Sequence, residues 1–187
     1  MPFTFHPVPA LPGVVEVLPR IFGDARGRFQ ETWKASEFAA HGIPGPFVQD
    51  NSASNPAPGT LRGLHYQVPP QAQGKLVRCL RGRAFDVAVD LRPGPTQGRW
   101  HGVELDAAKG NMLWVPPGFA HGYCTLEADT EVAYKVSGAE YAPAAERSIR
   151  WDDATIGIRW PIAQPLVADK DARAPGWHPA ALPLRWD

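Results

Sequence analysis

Only two cysteines occur in the chain, Cys79 and Cys124, each inside an apolar run (KLVRCL and HGYCTL) and neither in a C-x-x-C pair. That scarcity excludes a disulfide-stapled scaffold and reads as two buried, reduced thiols. Charge of one sign is not in excess either: 19 Lys and Arg balance 19 Asp and Glu. No global field therefore points to nucleic acid or to a membrane surface, and a charged ligand must be held by a local cluster. No apolar stretch approaches the roughly 20 residues that span a bilayer. The N-terminal PFTFHPVPALPG lacks the basic start and continuous apolar run of a secretory signal, so a cytoplasmic protein is expected. A linker is missing as well, because the 21 prolines and 18 glycines are spread evenly. The expectation is one domain over residues 1–187.

What the prolines and glycines do is punctuate short segments rich in Val, Leu, Phe and Trp, which is the pattern of many short strands. The clearest is AFDVAVDL (84–91), with Phe85, Val87, Val89 and Leu91 on one face and Asp86, Ala88 and Asp90 on the other, the alternation of a half-buried strand. Further strands are expected near 14–18, 28–33, 61–67, 75–81, 100–105, 112–115, 121–127 and 130–137. So many strands in one domain imply an all-β sandwich or barrel. The one helix expected is short, Ser36 to His41, closed by Gly42 and Pro44. The Pro-rich stretch 161–187 reads as a terminal arm packed on the body.

The segment GNMLWVPPGFAH (110–121) resembles the second motif of the cupin fold, a glycine, five residues, then P-x-G-x-x-H. The resemblance implies a cupin-type jelly roll, or double-stranded β-helix, with its pocket inside. Metal-binding cupins add a first motif with H-x-H and a nearby glutamate. Here that region offers His65-Tyr66-Gln67, and no Glu occurs from Pro69 to Gly102. No metal is expected, and His101 is read as a surface or rim residue. Pocket histidines with no thiol or serine elbow beside them suggest acid–base chemistry.

The ordered set FGDARGRFQETW (22–33), FVQDN (47–51), LRGLHYQ (61–67), QGKLVRCLRG (73–82), FDVAVDLR (85–92), WVPPGFAHGY (114–123), YK (134–135), YAPAAERSIRWDD (141–153) and IGIRWP (156–161) resembles the dTDP-4-dehydrorhamnose 3,5-epimerase family over roughly residues 14 to 171. The resemblance implies a cofactor-independent isomerase acting on a nucleotide-linked 4-keto-6-deoxyhexose, whose C4 ketone acidifies the protons on C3 and C5. Such a site needs a base on one face, an acid on the other and a donor at the ketone oxygen.

By that resemblance His65 is the base, Tyr134 the acid and Lys75 the donor to the oxyanion, and a C-terminal aspartate partners His65. Asp171 fits that position better than Asp169, with both still open. Arg62 and Arg26 are implied as pyrophosphate clamps, guanidinium groups being suited to bidentate phosphate contacts. Phe29, Glu31, Gln49 and Asn51 are implied to hold nucleotide or sugar, Tyr141 to lie near the thymine ring, and Lys170 and His121 to line the pocket. His121 can equally be a residue of the scaffold that only packs. Because the 26–31 segment of family members reaches in from a neighbouring subunit, a homodimer with exchanged N-terminal strands is implied. The reading leaves open whether C3, C5 or both are inverted, a single-site epimerase being the alternative.

Overall fold

The computed structural model describes residues 2–178 and Trp186. Its strands are β1 (Phe3–Pro7), β2 (Val15–Pro19), β3 (Ile21–Asp24), β4 (Gly27–Gln30), β5 (Phe47–Asn55), β6 (Thr60–Gln67), β7 (Gln73–Arg81), β8 (Arg83–Asp90), β9 (Trp100–Asp106), β10 (Met112–Val115), β11 (Phe119–Thr125), β12 (Thr130–Gly138), β13 (Glu146–Ser148) and β14 (Leu166–Val167). Two short helices, α1 (Ala35–Ala40) and α2 (Asp169–Ala172), complete the described elements. One sheet runs β1-β2-β10-β7-β12-β5 and the facing sheet β13-β6-β11-β8-β9, with β14 parallel to β6 and β3-β4 a separate hairpin. This is the jelly roll that the resemblance of GNMLWVPPGFAH to a cupin motif implies.

Strand alternation sorts the apolar residues into three layers. Val77, Cys79, Leu113, Val115 and Val132 of the first sheet meet Ala84, Ala88, Leu105 and Phe119 of the second between the sheets. Met112, Trp114 and Leu76 turn outward from the first sheet and are covered by Phe38 of α1. Helix α1 starts one residue earlier than expected and is followed by Gly42 at φ +77°, the left-handed turn that stops it. Leu64, Val87, Val89 and Leu91 turn outward from the second sheet beneath Ile149 and Ile156, which follow β13, and Trp177 of the C-terminal arm. Both cysteine thiols are free and buried. Burial pushes Cys79 up to about 12 and Cys124 up to about 11, so both behave as small apolar residues.

The expectation of a half-buried strand at 84–91 is corrected. The apolar face of β8 lies under the C-terminal arm, and its polar face points inward, with Asp86 and Asp90 both at 0% exposure. Asp90 is satisfied by Arg92 and Thr96, and Asp86 by a histidine described below. The stretch 28–33 is strand only as far as Gln30. The C-terminal arm does more than pack: it adds β14 to the edge of β6 and places α2 against the same strand. Its residues 179–185 and 187 lie outside the described residues.

One irregularity positions the site. Residues three apart on a regular strand face opposite ways, yet Arg62 and His65 border one cavity. The register explains this: His121 pairs with His65, but Tyr123 pairs with Arg62, so β6 carries an extra residue at that point. Gly63 occupies it at φ +134°, where a Cβ would lie 2.6 Å from the Gly122 Cα and 3.0 Å from the His121 carbonyl oxygen. Both obstacles are backbone and neither can step aside. Gly63→Ala is therefore expected to cost about 2–4 kcal/mol, lowering Tm by roughly 5–15 °C. Calorimetry checks this, and an unchanged Tm would contradict the account of the bulge.

Candidate active site

Between the sheets, above the apolar layer, lies a cavity of about 350 Å³ bordered by Arg62, His65, His121 and Tyr123 from one sheet and Lys75 and Tyr134 from the other. It continues past Glu146 toward Gln49, Asn51, Gln73 and Tyr141 at the mouth. The two sheets therefore present different chemistry to one space: imidazoles on β6 and β11, an ammonium and a phenol on β7 and β12.

His65 bonds through Nε2 to Asp171 Oδ1 at 2.7 Å. A carboxylate only accepts, so Nε2 carries a proton, and in the neutral ring the lone pair lies on Nδ1. Asp171 is 3% exposed and its second oxygen accepts the Gly63 N–H at 3.2 Å. Burial alone would raise its carboxyl, but the hydrogen bond and charge of His65, with Gly63 and Lys170, hold it below the ordinary carboxylate value. Of the two aspartates, Asp171 is the one bonded to His65, while Asp169 pairs with Arg173 at the surface.

Lys75 shares an inward face with Val77 and Cys79, and its Nζ sits 5.7 Å from the centre of the Tyr134 ring. It is ringed by protein atoms while keeping some exposure, and among the described residues it has no ion pair. Burial drives its ammonium down to about 8, against the opposing pull of Asp86 and Glu146. Tyr134, half-buried on β12, is raised above the ordinary phenol value by burial, with Arg62 opposing and Glu146 adding to the rise. It thus stays protonated at neutral pH.

Arg62 is held by its Nε, which donates to Asn55 Oδ1 at 2.9 Å. Asn55 is 1% exposed and anchored by its amide to the Ala53 and Thr130 carbonyls. Gln49 donates to Asn51 and accepts the Tyr141 backbone N–H. Tyr141, 51% exposed, donates its hydroxyl to Glu146, which also pairs with Lys170 at 3.3 Å. His121 does more than pack: buried at 6% exposure, it bonds to both oxygens of Asp86 while bordering the cavity. His101 stands apart on β9, bonded to Glu16 of β2 at 2.7 Å.

Three expected residues are not brought to this cavity by their own chain. Arg26 is 90% exposed and paired with Asp24 at the hairpin tip, and Phe29 is 66% exposed. Glu31 follows the hairpin on the way to α1 and borders neither part of the cavity. The hairpin is tied to the barrel next to its turn, where Arg28, opposite Gly23, donates to the Ala107 and Ala108 carbonyls. Conversely, Glu146 and Asp86 were not singled out from the sequence. Glu146 lies within YAPAAERS, whose motif points only to Tyr141, and the alternation of AFDVAVDL assigns Asp86 to the face away from the apolar residues.

An imidazole–carboxylate pair facing a phenol and an ammonium suits proton transfer beside a carbonyl, and the comparisons with known proteins agree. The family model described as dTDP-4-dehydrorhamnose 3,5-epimerase matches residues 9–178. A dTDP-4-dehydrorhamnose 3,5-epimerase of Shigella flexneri is 49% identical over 163 residues, which is 86% of this chain and 89% of that protein. The crystal structure of the enzyme of that name from Bacillus anthracis, with TDP and PPi bound, superposes with a TM-score of 0.89 at 38% identity, covering 94% of this chain and 99% of the other. The dTDP-6-deoxy-D-glucose-3,5-epimerase of Legionella pneumophila, in complex with dTDP-4-keto-L-rhamnose, gives a TM-score of 0.87 at 41% identity, covering 93% of this chain and 92% of that one. Fold, motif order and cavity chemistry therefore agree with identity over nearly the whole length, and the chain belongs to the dTDP-4-dehydrorhamnose 3,5-epimerase family.

Proposed function

We propose that the protein is a cofactor-independent isomerase that inverts C3 and C5 of dTDP-4-dehydro-6-deoxy-D-glucose, giving dTDP-4-dehydro-L-rhamnose. The observation that carries this reading is that His65 on one sheet, bonded to Asp171 of α2, and Lys75 and Tyr134 on the other sheet border one cavity. His65 Nδ1 takes the proton from the carbon beside the ketone. The C–H electron pair becomes the enolate double bond, and negative charge gathers on the C4 oxygen. Lys75 donates to that oxygen, and Asp171 stabilises the imidazolium. Tyr134 returns a proton to the opposite face and is recharged from water, while His65 gives the proton it took back to water, so no net proton or electron is consumed. The same cycle at the second carbon completes the reaction.

Arg62 binds a phosphate through the guanidinium nitrogens that Asn55 leaves free, with His121 and Lys170 lining the pocket around the sugar. Gln49, Asn51 and Tyr141 hold the nucleotide end at the mouth. Arg26, Phe29 and Glu31 serve the cavity of a second copy in a homodimer with exchanged N-terminal strands. The exposed Phe29 ring along a tied-down hairpin and the exposed Arg26 guanidinium at its tip support that assignment. No helix among the described residues is long and apolar enough to cross a membrane, and cytoplasmic residence belongs to the same reading.

NMR of the product formed from dTDP-4-dehydro-6-deoxy-D-glucose tests the proposal. Inversion at both carbons is expected. Inversion at one would select a single-site epimerase, and recovery of unchanged sugar would overturn the reading.

A further inference from the structure

The proposed mechanism leaves unused a second imidazole–carboxylate pair in the same cavity. His121 is the direct cross-strand neighbour of His65, so two histidines stand side by side on adjacent strands, each bonded through Nε2 to its own carboxylate. The carboxylates arrive by different routes, Asp171 from the C-terminal helix and Asp86 from the middle of β8. Asp86 is the more enclosed, at 0% exposure, with His121 Nε2 at 2.9 and 3.1 Å from its two oxygens. No described hydrogen bond other than those from His121 reaches its side chain. Leaving water for a site with so few donors is costly for a carboxylate, and Asn in its place would still accept the His121 hydrogen bond. What Asp adds over Asn is charge.

The groups around Asp86 say where that charge acts. On β11 they are His121 and Tyr123, on β7 Lys75 and Cys79, on β12 Tyr134, and on β6 Arg62 and His65. Across the cavity lie Glu146, Lys170 and Asp171. On β9 the residue opposite Asp86 is the uncharged Val103. Of the basic side chains, Arg62 bonds to the neutral Asn55, Lys170 pairs with Glu146, and His65 bonds to Asp171. Lys75 has no carboxylate within ion-pair distance among the described residues, and Asp86 is the largest favourable charge acting on its ammonium.

We propose that Asp86 is a positioning residue for the epimerisation: its carboxylate fixes His121 as the Nε2–H tautomer, and its buried charge holds the Lys75 ammonium for the C4 oxygen. The proposal rests on the epimerase reading, and its test separates the two. Asp86→Asn keeps size and one acceptor while removing the charge. In this variant kcat is expected to fall by about tenfold or more, and the alkaline limb of kcat/KM to move about one pH unit lower, with dTDP affinity unchanged. A purely structural role would leave the pH limb where it is, so an Asp86→Asn enzyme with wild-type kcat and wild-type limb overturns the proposal. Nitrogen-15 NMR of His121 in the wild-type protein, without substrate, is the second measurement. A proton on Nε2 is expected, and a proton on Nδ1 alone overturns it even if the variant fails to fold. Failure of the wild type to invert either carbon would instead defeat the epimerase reading, and the tautomer would still decide whether Asp86 orients His121.

Discussion

His65→Ala is expected to remove hydrogen exchange at both C3 and C5 while leaving dTDP affinity within about twofold of wild type, because general-base removal costs roughly 10²–10⁴ in rate. The separation between chemistry and binding follows from where His65 sits. Its Nε2 is committed to Asp171, a residue of 3% exposure, so the imidazole is oriented by the protein alone. Phosphate and nucleotide contacts are assigned to Arg62, Gln49, Asn51 and Tyr141, held by Asn55, by each other and by Glu146. None of these hydrogen bonds includes His65. Isotope exchange in deuterated water followed by NMR, with calorimetric titration of dTDP in parallel, reads both quantities. A variant that exchanges at near wild-type rate would place the base elsewhere.

Lys75→Ala is expected to lower kcat by a factor of roughly 10²–10³, the equivalent of about 3–4 kcal/mol of transition-state stabilisation, with KM little changed. The ammonium matters most when charge has moved onto the C4 oxygen, so its loss falls on turnover. Burial also predicts a pH dependence. The Lys75 ammonium is driven down to about 8, so the donor is present below that value and lost as pH rises through it. The wild-type kcat/KM profile should therefore fall on the alkaline side near pH 8, and the residual activity of Lys75→Ala should lack that limb. A profile flat through this range would show that Lys75 carries no essential proton.

Strands with an apolar period were legible in the sequence, β6, β7, β11 and β12 of the cavity among them, whereas the strand at its mouth and the inward face of β8 were concealed. FVQDNSASN carries no hydrophobic alternation because its inward positions, Gln49, Asn51 and Asn55, are polar and line the site or support it, so β5 passed unread although its motif was noticed. On β8 the alternation was correct and its direction was not. An interior that holds Asp86 for His121 and Asp90 for Arg92 turns the usual rule around, and the apolar face is buried instead by the C-terminal arm. The same cause explains α2: DKDA has no helical apolar stripe, and its position is set by Asp171 reaching His65 and Gly63. His65, Lys75, Tyr134 and Asp171 were found through motif resemblance, since alternation alone ranks Tyr134 as a core residue beside Val132 and Val136. The bulge at Gly63, which lets Arg62 and His65 share a cavity, depends on cross-strand register, and no local pattern in LRGLHYQ encodes it.

The central claim is that protons leave one face of the sugar and return on the other, through residues on facing sheets. Tyr134→Phe in deuterated water tests it most directly. His65 is untouched, so deuterium should still enter at C3 and C5, but from the face it left, with configuration retained and inverted product reduced by about 10²–10⁴. A Tyr134→Phe enzyme that forms the inverted sugar at the wild-type rate would contradict the account.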